Sequence, residues 1–286
     1  MQYRFLRFPG GLRKAVTFSY DDGNRHDIRL AETLDRYGLK CTFNINSGFI
    51  TEQGGEYHLS GQEIQEHILD SGHEVAVHGE FHRAPGRQRP IDGIQDVLNC
   101  RLALEQRFGI IIRGMAYPDS GIRVFANNAN YADIRRYLQD LDIVYSRTLG
   151  GDNDRFELPG DWLAWIPTAH HDNPHIFEYI EKFNALDEIG AYYVEMTPKL
   201  FYLWGHSYEF DRNNNWDHLE KICEQLSGRQ DTWYATNMEI YNYVNAYDRL
   251  VYSADGHIVY NPSLFDIWFR GDGEIHCIGP GETIRV

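Results

Sequence analysis

Short apolar runs alternate with longer amphipathic stretches through most of this chain, and the alternation predicts strands followed by helices. Lys14 to Tyr20 is a β-rich run that stops at Asp21-Asp22-Gly23, after which Asp27 to Tyr37 has helical spacing and closes at Gly38. Cys41 to Ile45 repeats the strand signal. Ser60 then opens a second helix with Glu63 in capping-box position, and Ser71-Gly72 ends it before a strand over His73 to Val77. The series continues with a helix over Ile91 to Phe108, a strand over Gly114 to Tyr117, a helix over Tyr131 to Leu141 and a strand over Ile143 to Ser146. Further on, Trp162 to Ile166 and Leu200 to Trp204 are expected as strands, and Pro174 to Ile189 and Trp216 to Gln225 as helices. A last short strand is expected over Tyr234 to Asn237, with a helix over Met238 to Arg249. Strands alternating with helices imply parallel βαβ units, and enough of them in a row close into a barrel. From Leu250 the texture changes to short alternating runs broken at Asp255-Gly256 and Asp272-Gly273, which are hairpin signals. The expected organisation is therefore a catalytic domain over 1–249 and a small β appendage over 250–286 packed against it.

Composition narrows the classes. A chain of 286 residues with 42% hydrophobic content can bury one large core. A formal charge of −15 gives no long-range attraction to nucleic acid or to anionic membrane, so neither is expected as a partner. Arg4 and Arg7 interrupt the apolar residues of the first ten positions, and Cys41, Cys100, Cys223 and Cys277 lie far apart without a Cys-x-x-Cys pair. These features suit a cytoplasmic protein, although a secreted chain trimmed of its signal would read the same.

Chemistry in (β/α) barrels collects where strands end and βα loops begin. Asp21, Asp22, His78, Tyr117, Arg147 and His206 each follow a predicted strand. Taken singly they have plain readings. Asp21-Asp22-Gly23 can be a helix-entry turn, His78 and His82 can share a helical face or meet across a loop, and His206 can be a buried strand-end imidazole. Taken together, a carboxylate and two imidazoles make a His₂-carboxylate set that can hold a divalent metal and leave positions open for water and substrate.

The segment Thr17–Gly23 (TFSYDDG) resembles the T-F-D-D-G motif of the polysaccharide deacetylase family (NodB homology, carbohydrate esterase family 4-like), and His78–His82 (HGEFH) resembles its H-x-x-x-H. Leu203–Ser207 (LWGHS) resembles the Leu-x-His segment of the same family. The resemblance implies a distorted (β/α)7-type barrel. It also implies Asp21 as general base, Asp22, His78 and His82 as metal ligands, and His206 as general acid. The substrate it implies is an acetylated oligosaccharide or glycoconjugate losing an N- or O-acetyl group. Zinc is the default ion, with cobalt, nickel and manganese compatible with the same donors. Two other readings stay open: a small-molecule amide or cyclic-imide hydrolase of the same superfamily, and a non-catalytic sugar-binding protein on this frame.

The chain departs from the family's third motif, R-x-P followed by an aromatic and Gly. Here the stretch is Ala116-Tyr117-Pro118-Asp119-Ser120-Gly121, with Ala116 at the arginine position. The strand where a fourth-motif aspartate is expected ends in Arg147 instead. A swap follows as an expectation: Arg147 reaches across from the neighbouring strand to hold Asp21 ionised and fixed in direction. Tyr117, Pro118, His170, His171 and Trp204 are candidate substrate contacts. His175, Trp165 and Tyr208 are further candidates, and Asp161-Trp162 resembles a fourth-motif Asp-Trp pair.

Overall fold

The computed structural model describes residues 3–150, 153–186 and 196–286. Its elements run β1 (Arg4–Arg7), β2 (Lys14–Asp21), α1 (Asp27–Arg36), β3 (Cys41–Ile45), α2 (Gly61–Ile64), β4 (Glu74–Val77) and α3 (Pro90–Phe108). They continue with β5 (Gly114–Ala116), α4 (Tyr131–Asp140), β6 (Tyr145–Arg147), β7 (Ala169–His170), α5 (Ile176–Asn184) and β8 (Lys199–Gly205). The remainder are α6 (Ser207–Arg212), α7 (Trp216–Leu226), β9 (Thr232–Tyr234), α8 (Asn237–Asp248), β10 (Val251–Tyr252), β11 (Ile258–Tyr260), β12 (Ile267–Gly271), β13 (Glu274–Ile278) and β14 (Thr283–Arg285).

The strands β6-β5-β4-β3-β2-β8-β7 lie side by side in a curled parallel sheet, and β9 adds to β2. This is the distorted (β/α)7 barrel that the alternation and the resemblance led us to expect. All eight residues of β2 are buried, including the polar Lys14, Thr17, Ser19 and Asp21. The reason is its position: β8 pairs along one side, while β9 and then β3 pair along the other. A strand covered on both faces and both edges carries its polar residues inside, where each needs a partner.

Helix boundaries follow local chemistry. Ser60 and Glu63 form the capping box that starts α2, and Gly38, at φ 66°, closes the turn after α1, a left-handed conformation that glycine adopts without penalty. The start of α8 is buried against the N-terminal half of the sheet. There Asn237 N–H donates to Thr42 Oγ1 at 3.0 Å, Met238 N–H to Glu74 Oε2 at 2.9 Å, and Asn237 Nδ2 to the Tyr202 hydroxyl at 2.6 Å. Those contacts leave the opposite, C-terminal rim of the sheet for the site.

Two expectations need correction or limits. Trp162 to Ile166 is no strand: Asp161 Oδ1 accepts from Leu163 N–H and starts a 3-10 turn over Trp162–Ala164, while a single bridge links Trp165 to Arg147. A short strand does exist slightly later, at Ala169–His170, where alternation over two residues is too brief to read. The far end of the helix expected over Pro174 to Ile189 lies outside the described residues, and the described part is Ile176–Asn184.

The C-terminal strands form two small antiparallel sheets, β10-β11-β14 and β1-β12-β13. The second takes its edge strand from the N-terminus, with Phe5 opposite Arg270. Asp272 and Gly273 both have positive φ, 50° and 89°, as a two-residue hairpin turn requires. Phe8, Tyr145, Trp165 and Tyr202 pack with Ile240, Tyr243, Ile267 and Phe269 in one apolar cluster, which ties these sheets and α8 to the barrel.

Candidate functional site

Asp21 ends β2 and is almost wholly buried. Its Oδ1 accepts from Asn44 Nδ2 at 2.8 Å, and its Oδ2 accepts from the Arg147 guanidinium at the end of β6. The swap expected from the sequence is therefore present as geometry. Burial alone would raise the Asp21 carboxyl; Arg147 first, then His78 and His206, outweigh it and hold the group below the usual carboxylate range. Arg147 is itself buried, its guanidinium lying 4.3 Å from the centre of the Trp204 ring. Asn44, inside the apolar-looking run CTFNI, was missed in the sequence. An amide at the C-terminal end of a buried barrel strand was the available signal.

Asp22 follows with φ 83°, and His82 has φ 57°. Two non-glycine residues in the left-handed region within one cluster mark a backbone held by its surroundings. Asn46 Nδ2 donates to the His78 and Gly79 carbonyls, and Gly48 N–H donates to Glu80 O at 2.9 Å. A Cβ on Gly48 would come within 2.4 Å of the Phe81 ring, so only glycine lets the two loops close. Together these contacts fold HGEFH into a loop rather than a helix, and both imidazoles turn toward Asp22.

The distances are 3.5 Å from His78 Nε2 to Asp22 Oδ1 and 3.3 Å from His82 Nε2 to the same oxygen. His78 Nδ1 lies 2.9 Å from Ala116 O, an acceptor, so Nδ1 carries the proton and Nε2 keeps its lone pair. That Nε2 is buried without any hydrogen-bond partner. A buried, orphaned imidazole nitrogen beside a carboxylate and a second imidazole suits a divalent cation, because tetrahedral ligands at ~2.1 Å from an ion sit about 3.4 Å apart. Asp22, His78 and His82 thus fit a metal. Burial would raise the Asp22 carboxyl, but the ring charges of His78, His206 and His82, present when no ion takes their lone pairs, hold it well below its ordinary value.

His206 follows β8 and completes the group, with Nε2 at 3.9 Å from Asp21 Oδ2 and 4.0 Å from Asp22 Oδ2. Its Nδ1 lies 3.2 Å from Glu209 Oε2. Burial lowers the His206 pKa, and the Glu209 hydrogen bond together with Asp21 and Asp22 more than reverses this, leaving it raised. Glu209 was also missed in the sequence, although a glutamate three residues past a strand-end histidine, at a helix start, is a readable signal.

The candidate substrate contacts divide. Trp204 and His170 are partly exposed beside His206 and line a cleft of about 220 Å³ with Pro167, Asp172 and Asn173. Pro118 is buried and would lie 3.6 Å from a Cβ at Gly79, so it packs under the histidine loop. The Tyr117 hydroxyl donates to Leu163 O at 2.8 Å and is turned away from the cleft. His171 is fully buried between Tyr20 and Phe210, with Nδ1 against Gly205. Trp165 is core, packed edge-on against Tyr145 and Trp162. His175 is on the surface with Glu178, and Tyr208 sits 5.3 Å from the His206 ring. Asp161 pairs with Arg135 and Tyr131 rather than acting as a fourth-motif aspartate.

The fold and rim define a (β/α)-barrel protein with an Asp-Asp-His-His-His constellation at the C-terminal ends of its strands. Residues 9–139 match the family model described as polysaccharide deacetylase, the family that the motifs resemble. Among solved structures, a Mycobacterium smegmatis protein provisionally described as a polysaccharide deacetylase is 19% identical. The match covers 85% of this chain and 94% of that one, with a TM-score of 0.58. The Xyl-CE4 domain of a multidomain xylanase from the hindgut metagenome of Trinervitermes trinervoides is 16% identical, over 82% and 92% of the two chains, with a TM-score of 0.51. Both likenesses speak to the fold. No curated protein matches the chain.

Proposed function

We propose that this protein is a metal-dependent hydrolase that removes N- or O-acetyl groups from a carbohydrate. The observation that carries the reading is the orphaned Nε2 of His78, aimed with His82 and Asp22 at one point beside a carboxylate pinned by Arg147. Asp22, His78 and His82 would hold the ion, zinc by default. A bound divalent cation supplies polarisation of the acetyl carbonyl and acidification of a water.

The chain's own residues do the rest. Asp21, ionised and fixed by Arg147 and Asn44, accepts a proton from the attacking water. A carboxylate with a lowered pKa is a weak base, so its value lies in being always charged and correctly aimed. His206 Nε2, 3.9 Å from Asp21 Oδ2, donates a proton to the departing amine or alkoxide. Trp204 and His170 line the cleft in which a sugar ring would lie.

The test is acetate release from acetylated chito- and xylo-oligosaccharides, with small cyclic imides in the same panel. The metal-loaded protein should release acetate, and both chelation and Asp21→Asn should reduce the rate by ~10²–10⁴-fold. Imide hydrolysis without acetate release would replace the sugar with a small amide as substrate.

A further inference from the structure

Glu209 lies outside the Asp22, His78 and His82 group, yet among the described residues of the rim it is heavily used as an acceptor. Its Oε2 is 3.1 Å from His206 N, 3.2 Å from His206 Nδ1 and 3.1 Å from His170 Nε2. Asp172 N–H donates to His170 Nδ1 at 3.1 Å, which places the His170 ring proton on Nε2, pointing at Glu209. One carboxylate oxygen therefore receives a backbone N–H and two ring N–H groups. The local reason is the start of α6: His206 is the cap residue and Glu209 the third helical residue, so the capping reach brings the carboxylate under the imidazole of the same residue.

We propose that Glu209, steadied by His170, is a positioning residue for His206, fixing the ring so that Nδ1–H is spent on the carboxylate and Nε2 alone exchanges a proton with the substrate. This rests on the reading of His206 as general acid. With Nδ1–H held by the carboxylate, the proton that charges the ring enters at Nε2, the nitrogen that gives it to the leaving group. An amide at position 209 can instead donate to Nδ1, which puts the neutral ring's only proton on Nε2 and disfavours the charged, acidic ring.

The step at stake is protonation of the leaving group: the C–N or C–O bond to the acetyl carbon breaks as the Nε2 proton moves to the departing nitrogen or oxygen, leaving neutral His206. A leaving group stable as an anion does not need that proton. Glu209→Gln should thus lower turnover of an acetylated oligosaccharide by ~10²-fold. It should lower turnover of 4-nitrophenyl acetate by less than about threefold, since nitrophenolate leaves unprotonated. Metal content should not change. The double variant with His206→Ala should be no slower than His206→Ala alone, because Glu209 acts only through that ring. Equal losses on both substrates, or losses that multiply in the double variant, would overturn the proposal.

A second measurement stands apart from activity. Nitrogen-15 spectra of the metal-loaded protein should show the neutral His206 ring protonated at Nδ1, and this state should be lost in Glu209→Gln; the Nε2–H tautomer in wild type would sink the idea. Absence of acetate release by wild type would count against the functional reading, and the ring spectrum would still decide the role of Glu209.

Discussion

Two groups of histidines and carboxylates flank His206, and their donor atoms are equally close. In one, His78 and His82 lie 3.5 and 3.3 Å from Asp22. In the other, His170 and His171 lie 3.1 and 3.5 Å from Glu209, and His171 is 3.4 Å from Asp172. The difference is in where the protons on the shared carboxylate are. His78 spends its N–H on Ala116 O and turns an unused lone pair to Asp22, whereas Glu209 Oε2 receives three N–H groups, one of them from His170, and only His171 in that cluster keeps unpartnered ring nitrogens. Proximity of ligand-type atoms makes a metal site only when their lone pairs are free, and the second shell decides that.

The largest effect that would break the comparison is in metal content. His78→Ala should reduce tightly bound metal from about one equivalent to background, while His170→Ala should leave it unchanged, as read by elemental analysis after dialysis. Retention in the first variant, or loss in the second, would reverse the assignment of the two clusters.

Next in size is the pin on Asp21. Arg147→Ala removes the cation that outweighs burial, so the Asp21 pKa rises. Turnover should fall by ~10²-fold, and the acidic limb of the pH profile should move to higher pH, with metal content intact. Arg147→Lys should recover charge but only part of the rate, because a lysine lacks the planar guanidinium that reaches Asp21 and lies over Trp204.

The smallest effect sharpens the second cluster. Burial, and then His170 beside it, pushes the His171 imidazole down to about 2, so the folded chain keeps the ring neutral. The unfolded chain takes up that proton near ~6.5. Between those values the unfolded state binds more protons, and stability falls as pH falls. His171→Phe should flatten this dependence in thermal melts between pH 4 and 6.5, each kcal/mol appearing as roughly 2–4 °C. An unchanged slope would mean that the ring is protonated in the fold.

How much of this was legible depended on whether a signal was local. The strand Cys41–Ile45 and the capping box of Ser60 and Glu63 read correctly because each is set by a few adjacent residues. The expected strand at Trp162–Ile166 failed because apolar residues there pack as a turn: Trp162 meets Trp165 three residues on and Tyr241 across the fold, both edge-on. The substrate candidates failed in the same way for His171 and the Tyr117 hydroxyl, whose directions are set by Phe210 and Leu163 far along the chain.

By itself, then, the sequence determined the alternation that makes the barrel, the strand ends where Asp21, Asp22, His78 and His206 fall, and the absence of an arginine at Ala116. Those follow from periodicity and motif order, which are properties of neighbouring residues. Only the tertiary structure decided that Arg147 and Asn44 both reach Asp21 and that His78 turns a free nitrogen toward Asp22. Each of these is a matter of direction between side chains far apart or on different strands, and in a buried site direction is fixed by hydrogen bonds that the order of residues does not display.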